Sequence, residues 1–166
     1  EPLEDPDERE SDGVSKAERQ AIRRRFWEAL LVKCREAGSM HAHLGARDYH
    51  WLGARKEGLW WNYVVARYHV RVELYVDGPI AGTNKALYDT LAAQSADIDA
   101  RFGAPLEWQR LDDRRASRVS ATLDGGWADD ESSWSDVTRR AVEAMTRLYA
   151  ALQPAIVQCP ARGGEI

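Results

Sequence analysis

The chain of 166 residues is the size of one domain and long enough to bury a core. Hydrophobic residues at 44% and charged residues at 30% are those of a water-soluble globule, and no run approaches the roughly 18 apolar residues of a membrane span. The net charge of −4 is unevenly placed: EPLEDPDERESDG, the first thirteen residues, holds seven acids and one Arg, so residues 14–166 carry 20 acids against 22 bases and lack an overall basic nucleic-acid footprint.

Residues 1–14, acidic and Pro-containing, are expected to form a disordered linker, and the start at Glu rather than Met suggests an excerpt cut behind a preceding domain. From Ser15, Ile22, Phe26, Leu30 and Cys34 or Ala37 recur at helical spacing, with Gly38 placed to end the helix. Its outer face carries Arg19, Arg23, Arg24, Arg25, Lys33 and Arg35, expected to be solvated or to contact phosphate. A loop follows, then a short strand around Tyr49 to Ala54 and a turn at Lys56 to Gly58. LWWNYVVARYHVRVELYVDG is aromatic and β-branched and too long for one strand, so it is divided near Ala66. In its second half the period of two places Tyr68, Val70, Val72, Leu74 and Val76 toward a helix layer, and Arg67, His69, Arg71, Glu73 and Tyr75 on the other face.

A second helix is predicted over about Thr83 to Phe102, with Thr83 or Asn84 as its cap and Gly103 and Pro105 ending it. Leu106 to Leu111 and Arg118 to Leu123 are predicted strands around the turn DDRRAS. A last helix begins near Asp129 to Ser133, where acids suit the positive helix N-terminus, and runs to Pro154. The seven tryptophans are expected in the core. The predicted fold is α+β: a two-layer domain over residues 15–157, its antiparallel or mixed sheet of about five strands packed by three helices in the order α-β-β-β-α-β-β-α, with a flexible tail at 158–166.

No arrangement of residues names a reaction. Cys34 and Cys159 lack a neighbouring base motif and are too few for a disulfide framework or a Cys-rich zinc site, which favours a reducing, cytoplasmic setting. The serines form no Gly-x-Ser-x-Gly elbow, and no Gly-rich loop has phosphate-cradling spacing. His41 and His43, with His50 and Cys34, offer no second tight ligand pair for zinc, so no metal and no cofactor are expected. A restriction-endonuclease-like core wants an acid-x-Lys on the central strand; Glu73-Leu74-Tyr75 has Tyr where Lys would stand. The polar row of Arg67 to Tyr75 is either an ordinary wet sheet face or a platform on which guanidinium groups bind phosphate and rings stack.

Several segments match, in order, a known family: FWEALLVK, then Arg71-Val72-Glu73, then Asn84-Lys85 in NKALYDTL, then Gly103 to Trp108 within DIDARFGAPLEWQRLDDRRASRVS. Over roughly residues 18 to 157 the chain resembles the bacterial and archaeal family catalogued as domain of unknown function 4268. That resemblance implies an accessory module of nuclease, restriction or genome-defence proteins, with no reaction established for the domain itself. The leading expectation is therefore a non-catalytic recognition or assembly domain of a larger DNA-acting or antiviral-defence protein. It would bind nucleic acid, a partner nuclease domain or a partner subunit through Arg67, His69, Arg71, Glu73, Asn84 and Lys85, with Arg114, Arg115 and Arg118 as a second basic group. Two alternatives stand beside it: an atypical divalent-metal nuclease around Glu73, and a structural homo-oligomerisation domain using Trp60, Trp61 and Trp127.

Overall fold

The computed structural model describes residues 4–8 and 13–159. The parts of the expected tails at 1–3, 9–12 and 160–166 lie outside the described residues. Helix α1, Lys16–Ala37, opens on a capping box in which Ser15 Oγ accepts from the Glu18 amide and the Glu18 carboxylate accepts from the Ser15 amide. It closes on Gly38, whose φ of 61° is the left-handed conformation that glycine adopts freely. Strands β1 (Trp51–Lys56), β2 (Leu59–Val65) and β3 (His69–Val76) form a meander, and β5 (Ser117–Asp124) returns beside β3 with β4 (Glu107–Gln109) outside it. Every pairing is antiparallel, in the order β1-β2-β3-β5-β4. The fold class and element order are those expected from the sequence.

The predicted second helix is two: α2, Ala81–Ala92, and α3, Ser95–Phe102. Ala93 still has helical backbone, but Gln94 at φ −108°, ψ 16° breaks the run and re-aims Ile98 and Phe102 into the core. Neither Thr83 nor Asn84 caps α2, because Ile80 holds the cap position and Asn84 turns its amide to Gly78. Helix α4, Trp134–Val157, follows a 3-10 turn at Glu131–Ser133 and continues through Pro154, where the sequence suggested an end. Proline there removes one helical hydrogen bond, but the buried Ala151, Leu152, Ala155 and Ile156 hold the last turns in place.

All helices lie on one face of the sheet, with α4 against β3 and β5 and α1 beside α4. Val70, Val72, Leu74 and Val76 are at most 1% exposed beneath them, together with Phe26, Trp27, Leu30 and Trp61. Trp27, Trp61, Trp127 and Trp134 are buried and Trp51, Trp60 and Trp108 half-buried, so Trp61 and Trp127 are already enclosed within a single chain. Tyr68 departs from the expected row: it lies in the turn before β3, 66% exposed. No helix among the described residues is long and apolar enough to cross a membrane.

Candidate functional site: a charged sheet face under an acidic strap

The register carries one row of residues across all five strands on the face away from the helices: Gly53, Asn62, Glu73, Ser120 and Glu107. Glu73, at its centre, is fully buried although no helix covers it. Its Oε2 accepts a hydrogen bond from Arg71 Nε at 2.9 Å and lies 2.8 Å from Arg118 Nε, while Oε1 accepts from Asn62 Nδ2 at 3.3 Å. A buried carboxylate is tolerable only with such partners, and here one negative charge aligns two guanidinium groups. Arg118 also donates to Gln109 Oε1 and lies over the Tyr75 ring, 5.6 Å from its centroid. Burial lowers the Arg118 pKa and the Glu73 charge opposes that. Burial, with Asp77 nearby, raises that of Tyr75. Trp51 and Trp60 meet edge to face beyond Tyr75 at the β1 side.

Glycine makes this row possible. A Cβ at Gly53 would stand 2.0 Å from Asn62 Oδ1, so any side chain there would displace the amide that reaches Glu73. Among the described residues Asn62 Oδ1 and Ser120 Oγ have no hydrogen-bond partner, and these two residues flank Glu73 on either side.

Over the face passes the segment Glu4–Glu8. Asp7 is 3% exposed; its carboxylate accepts from Trp127 Nε1 at 2.7 Å, from Arg23 Nη2 at 3.1 Å and from the Arg67 amide at 3.4 Å. Asp5 accepts both Nη groups of Arg23, at 3.0 and 2.7 Å. Burial pushes the Asp5 carboxyl up, but the Arg23 fork and the Asp7 amide outweigh it and leave its pKa below the ordinary aspartate value. Glu4 meets Arg114 Nη2 at 2.6 Å. The pocket for Asp7 depends on Gly126, where a Cβ would lie 2.3 Å from the Ala66 carbonyl oxygen; this close approach brings Trp127 against the β2–β3 turn. Arg23 is therefore no part of a wet helix face, as its place on the outer side of α1 suggested, but a 3%-exposed partner of two carboxylates.

Between strap and sheet lies a cleft of about 540 Å³, lined by Arg71, Arg114 and Arg118 and by Glu4, Asp5 and Glu8 of the strap. Of the expected site residues, the structure thus brings Arg71, Glu73 and Arg118 together, with Arg114 beside them. Arg67 lies at the end of the strap, 4% exposed, its guanidinium 5.0 Å from the Trp127 ring. His69 is half-buried and lies opposite Asp124 in the β3–β5 register at the same end of the sheet. Asn84, Lys85 and Arg115 belong to the opposite end and to another task. Asn84 bonds Gly78 and the Arg115 carbonyl, and Arg115 Nε donates to Asp77. The Lys85 ammonium is enclosed by the Arg110, Leu111 and Ala116 carbonyls and Ser117 Oγ, which fixes the β4–β5 connection that carries Arg114. Burial, with Arg110 close by, lowers its pKa.

Asn62, Ser120, Gly53 and the Asp5–Asp7 pair went unnoticed in the sequence. Asn62 carried a signal, as the one polar residue of the strand LWWNYVV. His41 is fully buried; its Nε2 bonds the Trp61 carbonyl, and burial lowers its pKa to about 4. Among the described residues no group of three or more His, Cys, Asp or Glu is placed to hold a metal ion.

Residues 22–156 match the model of a family described as "Domain of unknown function (DUF4268)". The chain belongs to that family. No curated protein and no solved structure matches the chain. Within DUF4268 the matched span holds Arg23, Arg67, Arg71, Glu73, Arg114 and Arg118, whereas the strap Glu4–Glu8 precedes it.

Proposed function

We propose that this DUF4268 chain is a non-catalytic recognition domain of a DNA-acting or defence protein, and that its charged sheet face binds the phosphate backbone of nucleic acid. The observation that carries this is the convergence of Arg71, Arg114 and Arg118 on one cleft, two of them oriented by the buried Glu73. Guanidinium groups fixed in this way present their remaining donors as forks, the geometry that oxyanions accept. Arg71 and Arg118 outweigh the single negative charge of Glu73 between them, which favours an anion rather than a cation beside this cluster. Arg71 makes the phosphate contact, Glu73 is a positioning residue for it, and Lys85 acts by holding the β4–β5 connection.

Titrating labelled single- and double-stranded DNA with the chain at increasing salt tests this. The logarithm of the binding constant should fall linearly with that of salt, and Arg71→Ala should flatten the slope by roughly 0.7–0.9. Binding that is absent, or indifferent to salt and to Arg71, contradicts it. The presence of an acidic peptide on the face favours one further reading, a partner subunit docking by an acidic segment. DNA would then leave the chain unbound while a synthetic Glu-Asp-Pro-Asp-Glu peptide bound in an Arg71-dependent way.

A further inference from the structure

We infer that Glu4–Glu8 is a self-supplied anionic cover of the charged sheet face, which nucleic-acid phosphates replace while Asp7 stays anchored. This rests on the proposed nucleic-acid binding and adds its regulation. The strap has two parts of different strength. Asp7 and Asp5 are tied through Arg23, and Asp7 also through Trp127 Nε1 and the Arg67 amide, in a pocket that leaves Asp7 3% exposed. Glu4 and Glu8 are exposed. The Glu4 side chain is 78% accessible, and its contact with Arg114 is a surface ion pair of the kind that contributes little and yields to salt.

Charge decides what the loose part does. Glu4 and Glu8 line the same cleft as Arg71, Arg114 and Arg118, and Glu4 occupies one Arg114 donor outright. A phosphate entering the cleft must take that donor and meet the field of Glu4 and Glu8. The cover therefore weakens binding to the same three arginines, and lifting it costs few contacts because the anchor lies elsewhere. Arg71, with 20% of its side chain accessible, becomes the group gained when the cover moves.

The test compares E4Q/E8Q, which removes two charges from the cover and leaves Asp5 and Asp7 intact, with E28Q/E36Q, which removes two charges from the exposed side of α1. Binding of a fluorescein-labelled single-stranded DNA oligonucleotide is followed by anisotropy at low salt, and Arg114→Ala is added to the E4Q/E8Q background. E4Q/E8Q is expected to bind about threefold to tenfold more tightly than the unaltered chain, E28Q/E36Q within about twofold of it, and Arg114→Ala to remove the gain. If E4Q/E8Q and E28Q/E36Q bind alike while Arg71→Ala still weakens binding, the cover is overturned and the binding face stands. If no variant binds the oligonucleotide, both are overturned.

Discussion

Val70, Val72, Leu74 and Val76 of β3 lie in the main core with α4 against them, whereas Glu73 and Tyr75, between them, lie under neighbouring side chains and Arg71 lines the cleft beside the stretch Glu4–Glu8. One strand thus closes one face with helices and the other with charge. The apolar face is held by burial, which is non-directional and adds up over many contacts. The polar face is held by a few directed pairs centred on Glu73, each of which fails if one member is removed. In the proposed function a competing phosphate displaces only directed contacts of this second kind and leaves the apolar face intact.

Substitutions break this comparison by different amounts. The largest effect is expected for Glu73→Ala. It leaves Arg118, 9% exposed, without its carboxylate, and should cost about 3–5 kcal/mol in urea unfolding. A loss below 1 kcal/mol would mean that the polar face is not held by this pair. Acid separates the two faces next. His41, which packs on Tyr63 on the helix side, has a folded pKa of about 4 against an ordinary value near 6.5. Its contribution is complete above about pH 6.5 and is lost as pH falls toward 4, up to about 3 kcal/mol; His41→Leu should flatten stability across that window. Asp5 also has a lowered pKa, so the contribution of its pair with Arg23 persists through that window and is lost only as pH falls below the ordinary aspartate range. Loss of the Asp5–Arg23 contact, followed by the Arg23 guanidinium resonances, should therefore come at lower pH than the loss assigned to His41. The smallest effect is Gly53→Ala, about 1–3 kcal/mol by thermal unfolding, because the new Cβ must push Asn62 off Glu73. Asn62→Ala in the same chain should remove most of that cost, leaving only the 3.1 Å approach of the added methyl to the Trp51 ring.

The helix-facing side was the more legible half. Alternation in RYHVRVELYV placed Val70 to Val76 correctly, and Phe26, Leu30 and Cys34 followed from helical spacing, because burial on a regular element repeats with the period of the element. The charged side was legible only in part. Arg71 and Glu73 stand two apart and meet, and Arg118 was marked as basic, but the fate of Arg23 depends on Asp7, and that of Asp7 on Trp127, 120 residues away. No local pattern records such a pairing. Asn84 and Lys85 have polar groups that suit a ligand equally well, yet their donors are taken by Gly78 and the β4–β5 carbonyls, an assignment that only the closed chain decides. Pro154 misled for a similar reason, since the helix end predicted from one residue is overridden by the burial of its neighbours.

Hydrogen–deuterium exchange of the chain with and without a saturating single-stranded DNA oligonucleotide tests the central claim most directly. The expected result is slower exchange at residues 69–76 and 114–120, faster exchange at Glu4 and Glu8 with Asp7 unchanged, and no change along α1 and α4. Protection confined to the helices, with β3, β5 and the strap unaffected, would contradict it.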